Sequence, residues 1–205
     1  MPCSLPERTV DSWVSVRIAE AFPHALIWSP TQRLPDNWDM AAEFGDGKLL
    51  IFENKGSDPP SRRSIGHRVW INTVQLDSYI RRVQPQVDVF YVLPDPPWPG
   101  EPTGSRYVPI EAVYRATCGD WLWVMRADDL RARVRGRGQR WVSGGEIPTW
   151  PQTISLTAFL AGVRACQIGV LLTKGDPGGR LDTLVSGHMP GSALAAFIPV
   201  QDLTR

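Results

Sequence analysis

Cysteine, histidine and lysine are scarce in this 205-residue chain. The three cysteines, Cys3, Cys118 and Cys166, are scattered and odd in number, which excludes a four-cysteine zinc cluster and is typical of a reducing compartment. The three histidines are isolated from one another and have no metal-ligand spacing of their own. Only three of the 22 basic residues are lysines, so arginine carries most of the positive charge.

The sequence also lacks any apolar run close to the roughly 20 residues that a membrane-spanning helix needs. Its first six residues contain two prolines and are followed by Glu7 and Arg8, which is unlike a secretion signal. We therefore expect a cytoplasmic protein with no membrane partner. The formal net charge of +1 gives no overall attraction to nucleic acid, so any such attraction must come from local clusters of charge.

Two common enzyme signatures are missing. No G-x-S-x-G elbow is present, so a hydrolase triad has no anchor. The glycines near residues 45–48 and 175–180 do not have the spacing of a phosphate-binding P-loop.

Periodic apolar residues predict two amphipathic helices and two short strands in the first half of the chain. Apolar positions recur at three- and four-residue steps in the helices, and short apolar runs that end at proline indicate the strands. The predicted helices are 7–22 and 69–83, and the predicted strands are 25–28 and 87–93. Farther along, strands are expected near 107–110, 121–125 and 167–173, a helix at 153–166, and either a helix or a strand from Asp128.

A β-hairpin is predicted where segments 38–44 and 49–55 flank a Gly-Asp-Gly-Lys turn. Asp39 lies at the start of the first strand and Glu53 near the end of the second, so antiparallel pairing brings them together. Because side chains alternate along a strand, Glu53 and Lys55 share one face while Asn54 points away. One face of the hairpin therefore gathers Asp39, Glu53 and Lys55.

This combination of side chains suits phosphodiester hydrolysis. The reaction needs a divalent cation, an activated water and stabilisation of charge on the phosphate. Magnesium prefers carboxylate and carbonyl oxygens, so Asp39 and Glu53 are candidate ligands and the Asn54 carbonyl is a further one.

The spacing of Asp39 and Glu53-Asn54-Lys55 resembles the PD-(D/E)XK signature of restriction endonucleases and Holliday-junction resolvases. Gln75 and Tyr79, one helical turn apart, resemble the QxxxY motif of the RecB-like branch. The sequence departs from the family pattern at Asn54, where an apolar residue is usual. It also departs from it before Asp39, which follows tryptophan and not proline; the literal Pro-Asp pair at 35–36 falls in a predicted loop.

The resemblance implies an α/β, restriction-endonuclease-like core with a mixed central β-sheet flanked by helices. The core would cover residues 1–93, and the extension 94–205 would complete the sheet or form a substrate-binding region. The reaction implied is metal-dependent hydrolysis of nucleic acid, DNA in particular, in defence or DNA repair. The alternative is a catalytically silent protein of this fold that binds nucleic acid or a partner within a larger complex. A homodimer would be needed for symmetric cutting of both strands.

The same resemblance assigns the roles. Asp39 and Glu53 would bind Mg²⁺ or Mn²⁺, with the acidic residue of the first helix, Glu7 or its rival Glu20, completing the site. Lys55 would orient or help to deprotonate the attacking water and stabilise the transition state. Gln75 would hold water, a metal ligand or substrate, and Tyr79 would buttress it.

Arginine clusters are candidates for nucleic-acid binding. One cluster follows the predicted strand that carries Glu53 and Lys55. In the other, arginine occupies every second position, so that an extended backbone would place four guanidinium groups on one face. Arg140 and Trp141 extend this second zone with a stacking side chain; the alternative is a solvated or acid-paired surface. The candidates are Arg62, Arg63 and Arg68 in the first cluster, and Arg131, Arg133, Arg135 and Arg137 in the second.

Overall fold

The computed structural model describes residues 4–30, 38–44, 48–59, 66–83, 87–96 and 121–168, together with the backbone of 194–197. The helices in these ranges are α1 (Glu7–Ala21), α2 (Thr73–Arg82), α3 (Ala127–Arg133), α4 (Leu156–Arg164) and a 3-10 helix (Gly144–Thr149). No helix in this part of the chain is both long enough and apolar enough to cross a membrane.

The strands of the described residues form two sheets. The strands of the large sheet are β1 (Leu26–Pro30), β2 (Met40–Phe44), β3 (Lys48–Asn54), β6 (Val89–Pro94), β7 (Leu122–Arg126), β9 (Ile154–Ser155) and β10 (Leu194–Phe197). Those of the small sheet are β4 (Ser57–Asp58), β5 (Arg68–Asn72) and β8 (Gln139–Ser143). The seven described strands of the large sheet have the order β10-β1-β2-β3-β6-β7-β9, and those of the small sheet have the order β4-β5-β8.

The large sheet is mixed, because β3 and β6 run parallel while the other neighbouring strands run antiparallel. All seven residues of β3 are buried, as expected of a central strand covered on both faces. Alternate residues of β3 enter two apolar cores: Leu50 and Phe52 pack with α1 and α4, whereas Leu49 and Ile51 pack with α2, α3 and the small sheet. The protein is thus a mixed α/β fold with helices on both faces of its central sheet.

The predicted first helix, the hairpin and the strands of the first half are confirmed, with shifted ends for the strands. Antiparallel pairing of β2 with β3, from Met40 opposite Phe52 to Phe44 opposite Lys48, establishes the hairpin. The predicted turn residues 45–47 lie outside the described residues.

The prediction of one helix over 69–83 is wrong in its first part. Arg68–Asn72 is strand β5, and the helix begins only at Thr73. Val69 and Ile71 are buried while Trp70 between them is exposed, which is the two-residue period of a strand. The Asn72 side chain then accepts hydrogen bonds from two backbone N–H groups of α2 and starts the helix there.

In the second half, the predicted strand at 121–125 and the helix at 153–166 are confirmed, with α4 covering only Leu156–Arg164. The segment from Asp128 takes the helical alternative as α3. Residues 107–110 and most of 167–173 lie outside the described residues, and Gln167 and Ile168 are not in a strand. Strands β7, β9 and β10, from the segment after residue 93, extend the large sheet on both sides of its centre.

Candidate active site

The β2–β3 hairpin brings the carboxyl groups of Asp39 and Glu53 to one end of the large sheet. Met40 pairs with Phe52, so Asp39 and Glu53 follow at the next position of the ladder. The backbone N–H of Asn54 donates a hydrogen bond of 2.9 Å to Asp39 Oδ2, which ties the first carboxyl to the second strand.

Lys55 and Glu53 form a buried ion pair. Lys55 Nζ donates to Glu53 Oε1, and the side chains of both residues are almost entirely shielded from solvent. Lys55 Nζ also lies 3.5 Å from Oε1 of Glu7, the first residue of α1. The E-x-K spacing predicted one face for Glu53 and Lys55, and in the structure the two side chains meet.

A close backbone approach brings Glu7 to Lys55. Leu5 and Ser57 exchange two backbone hydrogen bonds, of 2.7 and 2.9 Å, so the chain before α1 runs beside the chain after Lys55. A Cβ atom added to Gly56 would lie only 2.6 Å from the Leu5 carbonyl oxygen and 3.0 Å from the Glu7 nitrogen. Glycine at this position therefore allows the start of α1 to reach the site.

Helix α2 contributes the other two predicted residues. Tyr79 donates a 2.9 Å hydrogen bond from its hydroxyl to Glu53 Oε2, and Gln75 Nε2 donates a 3.0 Å bond to that same hydroxyl. Both oxygens of Glu53 thus accept a hydrogen bond, one from Lys55 and one from Tyr79. Tyr79 therefore holds the carboxylate directly and Gln75 supports Tyr79, while the predicted role of Gln75 towards water, metal or substrate stays a prediction.

Glu7 contacts the site and Glu20 does not. Glu20 lies near the other end of α1, roughly 20 Å along the helix axis, and it is largely exposed beside Arg17. A residue that the sequence analysis missed is Asp11, whose Oδ1 accepts a 2.9 Å hydrogen bond from Asn54 Nδ2. Asp11 follows Glu7 by four residues, and this spacing places both on one face of α1, a signal that was available in the sequence.

Asn54 points away from Glu53, as the alternation of a strand requires. Its side-chain oxygen is buried and has no hydrogen-bond partner among the described residues. A polar side chain thus occupies the position where the PD-(D/E)XK pattern usually has an apolar one, and Asp11 supplies part of its hydrogen bonding. The role of the Asn54 carbonyl as a metal ligand stays a prediction.

The pKa values of Asp39, Glu53 and Lys55 in the cluster are raised. Burial, with the negative charge of Glu53 as the next cause, raises the pKa of Asp39 to about 8. Burial also raises the pKa of Glu53, against the opposing effects of Lys55 and Tyr79. Burial alone would lower the pKa of Lys55, but the neighbouring carboxylates, led by Glu53, raise it above its usual value, so Lys55 is an ammonium group at neutral pH.

We expect the metal-free protein to lose stability as pH rises through the range in which Asp39 ionises. In the unfolded chain Asp39 loses its proton near its ordinary pKa of 3.8, but in the folded protein only near 8. The folded state therefore binds more protons between these values, and the free energy of unfolding falls as pH rises from about 4 to about 8. Asp39→Asn, which carries no charge, should unfold less readily than wild type towards the upper end of this range.

The measurement is urea unfolding followed by tryptophan fluorescence at several pH values, with chelator present throughout. The stability of Asp39→Asn relative to wild type should grow with pH up to about 8. A stability difference that is independent of pH would show that Asp39 has an ordinary pKa in the folded protein.

Asp39 and Glu53 are the two hairpin carboxylates that could hold a metal ion. Within the described residues, no three His, Cys, Asp or Glu side chains are grouped so as to hold a metal by themselves. Magnesium, however, keeps several waters and is commonly held by only one or two protein carboxylates. Burial, and next the negative charge of Glu53, oppose ionisation of Asp39, and a divalent cation would offset both effects by stabilising the charged carboxylate.

A cleft of about 460 Å³ gives access to this cluster. Glu7, Lys55 and Gln75 line one part of it, and residues of the small sheet line another. These small-sheet residues are Ser57, Asp58, Arg68, Trp70, Asn72 and Trp141. A substrate in the cleft would therefore reach the buried cluster at Lys55.

The predicted row of four arginines on an extended face is wrong. Arg131 and Arg133 lie in the last turn of α3, and Arg131 Nε is paired with Asp77 Oδ1 at 2.7 Å. Ala127 and Leu130 are buried one helical turn apart, so burial of these two apolar side chains favours a helix over the extended form. Arg131 is thus acid-paired, which is the alternative considered for this segment.

Three of the other predicted arginines lie within the described residues. Arg68 lines the cleft, whereas Arg62 and Arg63 lie outside the described residues. Arg135 and Arg137 are exposed after the end of α3. Of the candidates within the described residues, Arg68 is the one that lines this cleft.

Comparison with known proteins provides no family for the chain. A scan against models of protein families, a search of curated proteins and a search of solved structures each found no match. Function is therefore inferred from the chemistry of the site itself.

Proposed function

We propose that this protein is a metal-dependent nuclease that hydrolyses phosphodiester bonds of nucleic acid, with DNA as its substrate. The observation that carries the proposal is the hydrogen-bonded chain from Gln75 through Tyr79 and Glu53 to Lys55, which ends at an open cleft. Burying ionisable groups is costly. A buried ionisable cluster beside a cleft is typical of an active site.

In this proposal Asp39 and Glu53 hold Mg²⁺ or Mn²⁺. The bound cation would lower the pKa of a water molecule and offset negative charge on the phosphate. Lys55 stays protonated because of Glu53, so it serves to orient the attacking water and to stabilise charge on the phosphate, and does not act as a base. Tyr79 fixes the Glu53 carboxylate, and Gln75 fixes Tyr79 and faces the cleft.

The arrangement of the elements supports a restriction-endonuclease-like core as the finer description of the fold. The first helix, the hairpin with its E-x-K residues and the helix with its Q-x-x-x-Y residues all contribute side chains to one cluster. These are the elements that carry the PD-(D/E)XK and QxxxY motifs, and they belong to the same α/β core. This agreement between motif and three-dimensional position supports the proposed family.

A catalytically silent protein of the same fold is the second candidate. It is favoured by one observation: both oxygens of Glu53 already accept hydrogen bonds from the protein, and the residue is buried. A metal ion at this carboxylate would have to coordinate the lone pairs that these two hydrogen bonds leave. Such a protein would bind nucleic acid, or a partner within a larger complex, without turnover.

Cleavage of labelled single- and double-stranded DNA and RNA by the purified protein separates the two candidates. We expect cutting with magnesium or manganese, none with chelator, and none by a Glu53→Gln variant. Glu43→Gln is the matched control, because it is the same substitution on the same hairpin but at the far end from the cluster. Binding without metal-dependent cutting would select the silent candidate, and cutting that persists in Glu53→Gln would overturn the proposed site.

A further inference from the structure

The small sheet presents two tryptophans to the cleft. Trp70 on β5 and Trp141 on β8 are direct partners in the antiparallel pair, with ring centroids 4.8 Å apart and an edge-to-face arrangement. They are 42% and 46% exposed, whereas Val69, Ile71 and Val142 on the other face of the same strands are buried. Leaving two large aromatic rings in water forgoes hydrophobic stabilisation, so this exposed pair indicates a binding surface.

Arginine side chains lie on one side of the pair. The Arg68 guanidinium lies 4.5 Å from the centre of the Trp141 ring, in a cation–π arrangement. Arg68 and Trp141 also line a second cavity of about 500 Å³, to which Arg133, Arg135 and Arg140 contribute. Among the described residues that line it, four are arginines and one, Glu146, is acidic. The tryptophan pair thus lies between the cleft that reaches Lys55 and an arginine-lined cavity.

We infer that the tryptophan pair is a stacking platform for unpaired bases, and that the substrate is single-stranded nucleic acid or a single-stranded segment. This inference rests on the proposed function for the identity of the substrate. Exposed aromatic rings next to basic side chains are how proteins bind single strands without sequence preference, because every base has a π-face and every linkage has a phosphate. In a duplex the base faces are already stacked on one another and cannot reach Trp70 or Trp141.

The arrangement also indicates the path of the bound single-stranded nucleic acid. Bases stacked on the platform would place the phosphates on one side near Arg133, Arg135 and Arg140, and the continuing strand in the cleft beside Lys55. An apolar protein segment would use the tryptophans but gain nothing from these arginines. Nucleic acid uses both.

Binding without cleavage tests the inference. The Glu53→Gln protein, in chelator, is titrated with an oligothymidylate of about 12 nucleotides, an oligouridylate of equal length, an abasic oligonucleotide of equal charge, and a duplex. Fluorescence anisotropy gives the affinity, and tryptophan quenching reports stacking. We expect the oligothymidylate to bind at least about tenfold more tightly than the abasic strand and than the duplex. The oligouridylate arm shows whether RNA is accepted equally.

Variants assign the effect to the platform. Trp141→Ala should weaken oligothymidylate binding about tenfold and leave abasic binding nearly unchanged, whereas Trp141→Phe should retain most of the affinity. Leu26→Ala is the control, because Leu26 is 42% exposed on β1 and does not line the cleft. Arg140→Ala should weaken both single strands equally and reduce the dependence of affinity on salt.

Equal affinity for the abasic and base-carrying strands, or tighter binding of the duplex, would overturn the inference. This comparison uses the protein with both tryptophans in place, so it decides the question even if Trp141→Ala does not fold. Failure of this inference and failure of the proposed function are distinguishable. A nuclease that does not stack bases would cut nucleic acid but bind the abasic and base-carrying strands with equal affinity. A silent binding protein that stacks bases would bind the base-carrying strand more tightly but would not cut it.

Discussion

Lys55→Met is expected to reduce metal-dependent cleavage by about a hundredfold to a thousandfold, since loss of one positioned group that stabilises charge in the transition state has an effect of that order. Lys55 is the cation of the cluster that both contacts Glu53 and lines the cleft. Methionine has a similar length but carries no charge and donates no hydrogen bond. The measurement is the initial rate of cleavage with saturating metal, divided by the fraction of protein that is folded.

The chain offers a matched control in the same strand. Lys48, at the start of β3, is also buried, and its Nζ donates a 2.6 Å hydrogen bond to the carbonyl of Val163 in the last turn of α4. Seven residues of extended strand, roughly 23 Å, separate it from Lys55. Lys48→Met therefore removes a buried lysine far from the cluster, and its rate per folded molecule should equal that of wild type. A comparable loss of activity in both variants would mean that Lys55 acts through stability alone.

The second large effect is a loss of folding stability when the buried ion pair of Glu53 and Lys55 is broken. Lys55→Met leaves Glu53 buried without its counter-charge, and removal of one partner from a buried ion pair costs about 3–5 kcal/mol. The double variant Glu53→Gln with Lys55→Met should recover most of this loss, because a neutral glutamine can still accept the hydrogen bond from Tyr79. The two single substitutions are therefore expected to be strongly non-additive.

The loss of folding stability caused by Lys55→Met should depend on pH, because Glu53 can take up a proton in the variant. Burial raises the pKa of Glu53 above its ordinary 4.5, and loss of Lys55 removes an opposing effect. The folded variant then holds a proton at pH values where the unfolded chain does not, so its free energy of unfolding falls as pH rises above about 4.5. The destabilisation relative to wild type should therefore be smallest in acid.

Urea unfolding of wild type, the two single variants and the double variant, at acidic and neutral pH, measures both effects. If the double variant is as unstable as the sum of the single variants, Glu53 and Lys55 do not interact as the structure shows. If the cost of Lys55→Met is the same at both pH values, Glu53 does not take up a proton in its place.

Strand alternation and helix periodicity account for much of the candidate site. Antiparallel pairing of the two hairpin segments places Asp39 and Glu53 at the same end, and a two-residue period puts Glu53 and Lys55 on one face. A four-residue step puts Gln75 and Tyr79 on one face of a helix. These relations are local, so the amino-acid sequence by itself determined them.

Contacts between distant segments could not be obtained in this way. Tyr79 donates to Glu53 because α2 packs on the face of the sheet that carries Glu53, and Glu7 reaches Lys55 because Gly56 lets Leu5 pair with Ser57. Trp70 and Trp141 meet only because β8 pairs with β5, and the same pairing turned a predicted helical turn into a strand. Local periodicity decides which side of an element a residue occupies, but which elements lie against one another depends on burial of apolar surface summed over the whole chain, and only the tertiary structure decided that.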